Sequence, residues 1–175
     1  MKTESPINTQ GLVVNGPVNM LDVYIPQFDV TWRRGKSHIS LNGGTYLAEM
    51  GRPEVPAWPV TISFPAGYKI QDVTLTKAGQ STEGLGLPVP IVELDIEGNP
   101  TQGDDDIATE PWPNRNLDWM VETTPGGEKI LRIQIYPFKS WPATTHYAFF
   151  DQCTLNIEYN QPTVNVNKLR LNKPA

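Results

Sequence analysis

The stretch from residue 51 to 65, GRPEVPAWPVTISFP, constrains the fold more than any other part of the sequence. Its four prolines exclude a helix, because proline lacks the N–H that a helix interior needs. Pro53 and Pro56 also restrict the residues before them to extended conformations. From residue 60 to 64, apolar and polar side chains then alternate, as in a half-buried strand. We therefore predict a rigid, polyproline-like arm that lies along a sheet edge and leads into a strand at 60–64.

Short alternating runs of this kind recur along most of the chain, separated by turns that draw on 17 prolines and 14 glycines. No segment of helical length has a helical period with a capping residue at its start. The pattern predicts an all-β fold, an antiparallel β-sandwich or a jelly-roll-like barrel of about nine or ten short strands. The main strands are predicted at 21–25, 28–32, 37–41, 60–64, 68–79, 91–98, 117–123, 128–138 and 148–159.

The organisation along the chain is that of one domain with two less regular ends. We predict a flexible lead at 1–18, the β-sandwich at 19–160, and an edge strand, a linker or the start of a following domain at 161–175. Turns are predicted at RRGK and NGG, and TYLAEM is a weak strand or a single helical turn. Loops or connections are predicted at 79–90, 99–116 and 139–147.

Charge and composition exclude several classes of partner. The net charge of -5 disfavours a nucleic acid partner, and no apolar run is long enough to span a membrane. A single cysteine excludes an internal disulfide and is compatible with the cytosol or with export. The polar start, MKTESPINTQG, is not a signal peptide, and we expect that one has been removed from an exported protein.

Cys153 is the one thiol of the chain, and with His38 and His146 it suggests a cysteine–histidine nucleophile. However, Phe149 and Leu155 share its face of the predicted strand, so we expect a buried thiol with a raised pKa and no reactivity. We therefore predict a core cysteine, two surface or edge histidines, and no enzymatic activity.

The segment before the predicted strand at 117–123 is rich in carboxylates: Glu93, Asp95, Glu97, Asp104, Asp105, Asp106 and Glu110. Such oxygens are the ligands that Ca²⁺ prefers, and Asp104, Asp105 and Asp106 form the candidate calcium site. The EF-hand spacing is absent, and a triple aspartate among glycines and prolines is also typical of a solvated loop tip. No other cofactor is predicted.

Trp58 and Trp112 lie in proline-flanked segments and have two interpretations. Their rings could be exposed and stack on a sugar, or they could pack across sheet edges. The RRGK stretch likewise suggests either a hairpin turn or a processing site.

Two ordered motifs give the sequence a family resemblance. The first is Gly-x-Pro-x-(Leu/Val)-Pro, an alternating strand, Pro-Ala-Gly and a second strand; its residues are Gly51, Pro53, Val55, Pro56, Ile62, Pro65, Gly67 and Val73. The second spans 126–159, with Leu131, Ile133, Tyr136, Pro137, Pro142, Thr144, Cys153, Leu155, Ile157 and Tyr159. Together they resemble the propeptide of gingipain-type cysteine peptidases.

This resemblance implies a non-catalytic N-terminal prodomain of a secreted or cell-surface peptidase, bacterial or archaeal. Such a prodomain assists folding, latency or both by contact with its own downstream catalytic domain. In that family, a basic residue of a prodomain loop enters the pocket meant for the side chain of the substrate.

The sequence departs from the family in that loop, since no lysine or arginine occurs between Lys77 and Arg115. The corresponding stretch, GQSTEGLGLPVPIVELD, offers Glu83, Leu85 and Leu87 as inhibitory residues. The covered peptidase would then not be specific for arginine or lysine. The alternative function is a carbohydrate- or surface-binding β-sandwich module of an exported multidomain protein.

Overall fold

The computed structural model describes residues 11–79, 81–92 and 110–163, and its regular structure in these ranges is all β. This confirms the predicted fold class, with thirteen strands in the described ranges instead of nine or ten. The described residues include no helix that could cross a bilayer. The strands are β1 Leu12–Asn15, β2 Met20–Tyr24, β3 Asp29–Arg33, β4 Lys36–Ser40, β5 Thr45–Leu47, β6 Val55–Phe64, β7 Lys69–Lys77, β8 Thr82–Gly84, β9 Leu117–Thr123, β10 Lys129–Ile135, β11 Phe138–Trp141, β12 His146–Phe149 and β13 Gln152–Asn160.

Two sheets contribute most of the core, and Ile39 of β4, Phe138 of β11 and Phe149 of β12 complete it from two smaller sheets. One of the two large sheets has the order β1-β6-β10-β9, with β5 also paired to β6, and the other has the order β2-β13-β7. Phe64 of the first sheet and Tyr159 of the second meet with ring centroids 5.3 Å apart. The arrangement is consistent with a sandwich, and its strands pair antiparallel except for β1 and β6, which are parallel.

The core follows from the alternation that the sequence shows. Val60 and Ile62 of β6, and Leu131 and Ile133 of β10, are at most 1% exposed, while the residues between them are half-buried or exposed. Burial of each such aliphatic side chain contributes roughly 1.5–3 kcal/mol to stability. The period-two pattern therefore fixes which face of each strand is buried.

The proline-rich arm forms the first part of β6, where residues 55–57 pair with β5, and β6 becomes central in its sheet from Trp58 onward, where pairing with β10 begins. β6 begins at Val55 and lies between β10 on one side and β5 and β1 on the other. β5 pairs with residues 55–57 and β1 pairs from Val60 onward, so Pro59 falls in the gap between these two partners. Proline, which has no backbone N–H, is tolerated at position 59, because neither β5 nor β1 needs a hydrogen bond from this residue.

The predicted flexible lead is also structured in its described part. β1 pairs in parallel with β6, from Leu12 opposite Val60 to Asn15 opposite Ser63. Gly11 permits this approach: its φ is +73°, and a Cβ at position 11 would clash with the carbonyl oxygen of Pro59. The described part of the lead is therefore held by backbone pairing and by Leu12 and Val14, which are half-buried against the core.

The carboxyl-terminal half contains more strands than predicted. The stretch 139–147, predicted as a connection, forms most of the β11–β12 hairpin, and β8 lies within the predicted loop 79–90. These three strands form a sheet with the order β11-β12-β8. The single strand predicted at 148–159 is broken at Phe150 and Asp151, so Phe149 and Cys153 belong to different sheets.

The turn predictions are confirmed where they can be compared. Arg34 and Gly35 have φ values of +51° and +74° and join β3 to β4, as a two-residue hairpin turn of the type I′ class requires. Gly43 has a φ of +82° in the NGG turn. The stretch TYLAEM forms a strand, β5, at its first three residues and no helical turn.

Candidate functional site

The loop after β8 presents Leu85, which at 72% exposure is the most exposed large apolar side chain of the described residues. We call residues 85–87 the Leu85 loop. Glu83, in β8, is also exposed, whereas Leu87 is half-buried and packs against the core. Of the three residues predicted for a blocking loop, Leu85 is thus at the apex, Glu83 is beside it, and Leu87 anchors the loop.

The apex of the Leu85 loop is held by Thr145, in the turn between β11 and β12. The Thr145 carbonyl oxygen accepts hydrogen bonds from the backbone N–H of Gly86 at 3.1 Å and of Leu87 at 3.2 Å. The Thr145 hydroxyl also accepts from the Gly86 N–H at 3.2 Å. Gly86 itself has a φ of +93°, which a side chain would strain.

The base of the loop lies on an aromatic surface. Gly84 pairs with Tyr147, and a Cβ at position 84 would come within 2.6 Å of the Tyr147 ring, so only glycine fits there. The Tyr147 ring stacks on Phe138 with centroids 5.6 Å apart, and Phe28 packs edge-on against both rings. The last residue of β8 is therefore seated on the half-buried Tyr147 ring, which packs closely on Phe28 and on the buried Phe138.

The chain after the loop is fixed by hydrogen bonds to two other segments. The Ser37 N–H donates to the Pro88 carbonyl oxygen at 2.8 Å, and the Glu54 N–H donates to that of Pro90 at 3.0 Å. Val89, between these prolines, is 5% exposed. The exposed leucine therefore projects from a short loop that is anchored on both sides.

A second constellation ties the segment 110–116 to β9 and to the chain before β6. The Arg115 guanidinium contacts both carboxylate oxygens of Asp118 and lies 3.0 Å from Glu49 Oε1. The Tyr136 hydroxyl donates to Asp118 Oδ2 at 2.7 Å. Arg115 and Arg52 both stack on the ring of Trp112.

The charges of this constellation shift the pKa values of its members. The hydrogen bonds from Arg115, helped by that from Tyr136, lower the pKa of Asp118 below its ordinary value. Burial first, and then the hydrogen bond to Asp118, raise the pKa of Tyr136. The groups therefore remain an ion pair and a neutral phenol at neutral pH, which suits a structural clamp and supplies no general acid or base.

The two tryptophans predicted as stacking candidates are not exposed platforms. Trp112 is 4% exposed, which agrees with the packing alternative for this ring. Its packing against arginines and β11 explains this, since its backbone pairs with Ser140 in both directions at 2.8 Å. Trp58 is half-buried against the core, and its ring covers the turn at Gly43.

The acidic candidates Asp104, Asp105 and Asp106 lie outside the described residues. Within the described ranges, no group of three histidine, cysteine, aspartate or glutamate side chains could hold a metal ion. Calcium binding by the triple aspartate stays a prediction, which calorimetric titration of the full chain with CaCl₂ would test.

Cys153 is a core residue, as predicted. It is free, fully buried, and burial, followed by the nearby charge of Asp22, raises the pKa of its thiol to about 12. His146 packs edge-on against Trp141, and His38 lines a surface cavity of about 330 Å³ with Arg33 and other polar side chains. No nucleophile–base pair is formed among these residues.

Solved structures resemble this arrangement of strands. A chain of the complex of Porphyromonas gingivalis RgpB pro- and mature domains superposes with a TM-score of 0.64 at 11% identity, covering 86% of this chain and 85% of that one. The fold is that of gingipain pro-domains. A structure that describes the zymogenic latency of gingipain K from the same organism has a TM-score of 0.58 at 14% identity, with 82% and 89% of the chains covered.

The comparison confirms the gingipain-prodomain resemblance at the level of the fold. In sequence, no family model and no curated protein matches the chain. Sequence reasoning found the Leu85 loop but missed Thr145, because a threonine in a stretch predicted as a connection gives no sign of a left-handed turn. It also missed the clamp around Asp118, whose members come from separate segments.

Proposed function

We propose that the chain is the non-catalytic prodomain of a secreted or cell-surface gingipain-like cysteine peptidase. It acts by protein–protein contact with its own catalytic domain, assisting folding, latency or both. The observation that carries this proposal is the shared fold, which extends over 86% of the chain despite 11% identity. If the chain binds the folded catalytic domain but not the unfolded one, binding stabilises the folded domain by mass action. One surface can therefore serve both folding and latency.

Leu85 is the side chain that we propose to enter the partner's substrate pocket. It is exposed, apolar and held by a loop that is anchored on both sides. Because burying a leucine is favourable by roughly 1.5–3 kcal/mol only in an apolar environment, the pocket must be apolar. A pocket built for arginine or lysine contains a carboxylate, which would be buried without a partner beside this leucine. Burial of an unpaired charge costs further free energy. Glu83, two residues before Leu85, would face the rim of the partner's pocket.

The test begins with the coding sequence that follows residue 175, which we expect to specify a cysteine peptidase domain. That domain is purified, and its hydrolysis of peptides with leucine or arginine before the scissile bond is measured with and without added chain. We expect a preference for leucine, and inhibition that falls when Leu85→Asp is used instead. The control variant must lie outside the Leu85 loop and leave the fold intact. Leu12→Asp does not meet this condition, because it would disturb β1. Met120→Asp on the exposed face of β9 is the matched control.

Full activity in the presence of an excess of the chain would remove latency from the proposal, and the absence of any encoded peptidase would remove the proposal itself. The alternative of a carbohydrate- or surface-binding module stays a prediction; of its two candidate rings, Trp58 is half-buried and Trp112 is buried.

A further inference from the structure

Thr145 has a backbone conformation that its residue type disfavours. Its φ is +55°, in the left-handed region, whereas the other positive-φ residues of the described chain are glycines and Arg34. A β-branched residue in this region is a true outlier, because its Cβ crowds the neighbouring carbonyl oxygens. Such strain persists where surrounding structure imposes it, and it concentrates at functional sites.

The strained turn makes specific contacts with the Leu85 loop. Through its carbonyl and hydroxyl oxygens, Thr145 accepts hydrogen bonds from the two backbone N–H groups that directly follow Leu85. The direction of the carbonyl depends on φ, so a relaxed, extended Thr145 would turn it away from the loop. Gly86, which has open space around its Cα, would then be free to rotate.

We infer that Thr145 is a positioning residue that locks the Leu85 loop in one conformation before any partner binds. The purpose of such positioning rests on the proposed prodomain function. A loop that is ordered before binding loses less entropy on binding, which increases the affinity of the chain for the catalytic domain. Thr145 does not enter the partner's pocket. It acts through Gly86 and Leu87, and thereby fixes the direction of the Leu85 side chain.

The first test is independent of any peptidase. Amide hydrogen exchange is measured by NMR on the full chain, on Thr145→Ala and Thr145→Ser, and on Thr144→Ala as the matched control in the same turn. In Thr145→Ala, we expect exchange at Gly86 to accelerate about threefold to tenfold, the effect of losing one hydrogen bond. Thr145→Ser and Thr144→Ala should exchange as the unchanged chain does.

Two results would overturn the inference. One is that Gly86 and Leu87 exchange as fast as an unstructured peptide in the unchanged chain. The other is that Thr145→Ala accelerates exchange throughout β8 and β12, as a merely structural residue would.

The second test uses inhibition of the catalytic domain encoded with the chain. Thr145→Ala should weaken inhibition by a factor similar to the change in exchange, with an unchanged Tm, and Thr145→Ser should restore it. If Thr145→Ala inhibits as well as the unchanged chain does, the positioning role fails while the prodomain function stands. If exchange responds as expected but the unchanged chain does not inhibit the encoded peptidase, the positioning role of Thr145 stands and the latency role of the proposed function fails.

Discussion

Asp118 is the residue on which three parts of the molecule meet. It contacts the guanidinium of Arg115 through both oxygens and accepts a hydrogen bond from the hydroxyl of Tyr136. Arg115 in turn reaches Glu49, in the chain before β6. Since Asp118 and Glu49 are both well exposed, we expect the clamp to order these segments more than to stabilise the whole fold.

The lowered pKa of Asp118 predicts a pH-dependent contribution to stability. A carboxyl whose pKa is lower in the folded state stabilises the fold above its unfolded pKa of about 4, and loses this effect as the pH falls through the folded value. Asp118→Asn should therefore lower the Tm at pH 7, and the difference from the unchanged chain should become smaller as the pH falls below about 4. Thermal unfolding of both chains across this pH range tests this, and a difference that stays equal throughout would contradict it.

The buried thiol of Cys153 should be unreactive in the folded chain. With a pKa of about 12 and no exposed surface, it forms almost no thiolate at pH 8. We expect no labelling by Ellman's reagent until denaturant is added, and then one equivalent. Rapid labelling without denaturant would place the thiol at the surface and would reopen the nucleophile interpretation.

At the scale of elements, β6 organises the fold because every strand of its sheet except β9 pairs with it directly. It accepts β10 along one side and both β5 and β1 along the other. The parallel pairing of β1 depends on the close approach of Gly11 to Pro59. The attachment of β1 thus needs a glycine at position 11 as well as the packing of Leu12 and Val14 against the core.

Replacement of two glycines by alanine separates crowding from backbone strain. Gly11 and Gly35 have similar φ values of +73° and +74°, but only Gly11 has atoms where a Cβ would lie. Gly35→Ala should cost about 1–2 kcal/mol, the strain of a left-handed alanine. Gly11→Ala should cost more and should expose the amides of β1 to exchange. Equal free energies of unfolding from urea titrations would refute the close approach.

At the scale of the whole molecule, stability depends on the interior that the two large sheets share. Ile133 is 1% exposed and lies in the centre of β10, opposite Val60 and Trp119. Ile133→Ala should lower the free energy of unfolding by about 2–5 kcal/mol, because it leaves a cavity that the sheets cannot close.

Ile130, on the same strand but half-buried on the opposite face, is the matched control for this prediction. Ile130→Ala should cost distinctly less in the same urea titration. A similar loss for both variants would mean that the two faces of β10 are equally buried.

The sequence predicted what side-chain alternation can report, and little of what backbone pairing decides. The faces of β6, β10 and β13 follow from their period of two, and the turn at Arg34 and Gly35 follows from residue type. The pairing of β1, the central place of Pro59 and the break at Phe150 depend on which strands meet, and no local pattern encodes that. Leu85 was a candidate because the loop that corresponds to the family's inhibitory loop has no basic residue, whereas Thr145 depends on a contact between segments 59 residues apart.

The position of β13 has a consequence for how the protein is made. This last described strand lies in the middle of its sheet, with Leu155 opposite Leu21 on one side and Leu75 on the other. Until the ribosome has delivered residues 152–160, β2 and β7 have no neighbour to join them, and the inner surface beneath them stays open. Closure of this β fold therefore has to wait for residues 152–160 and depends on contacts between distant residues, and a chain interrupted before them would expose unpaired strand edges.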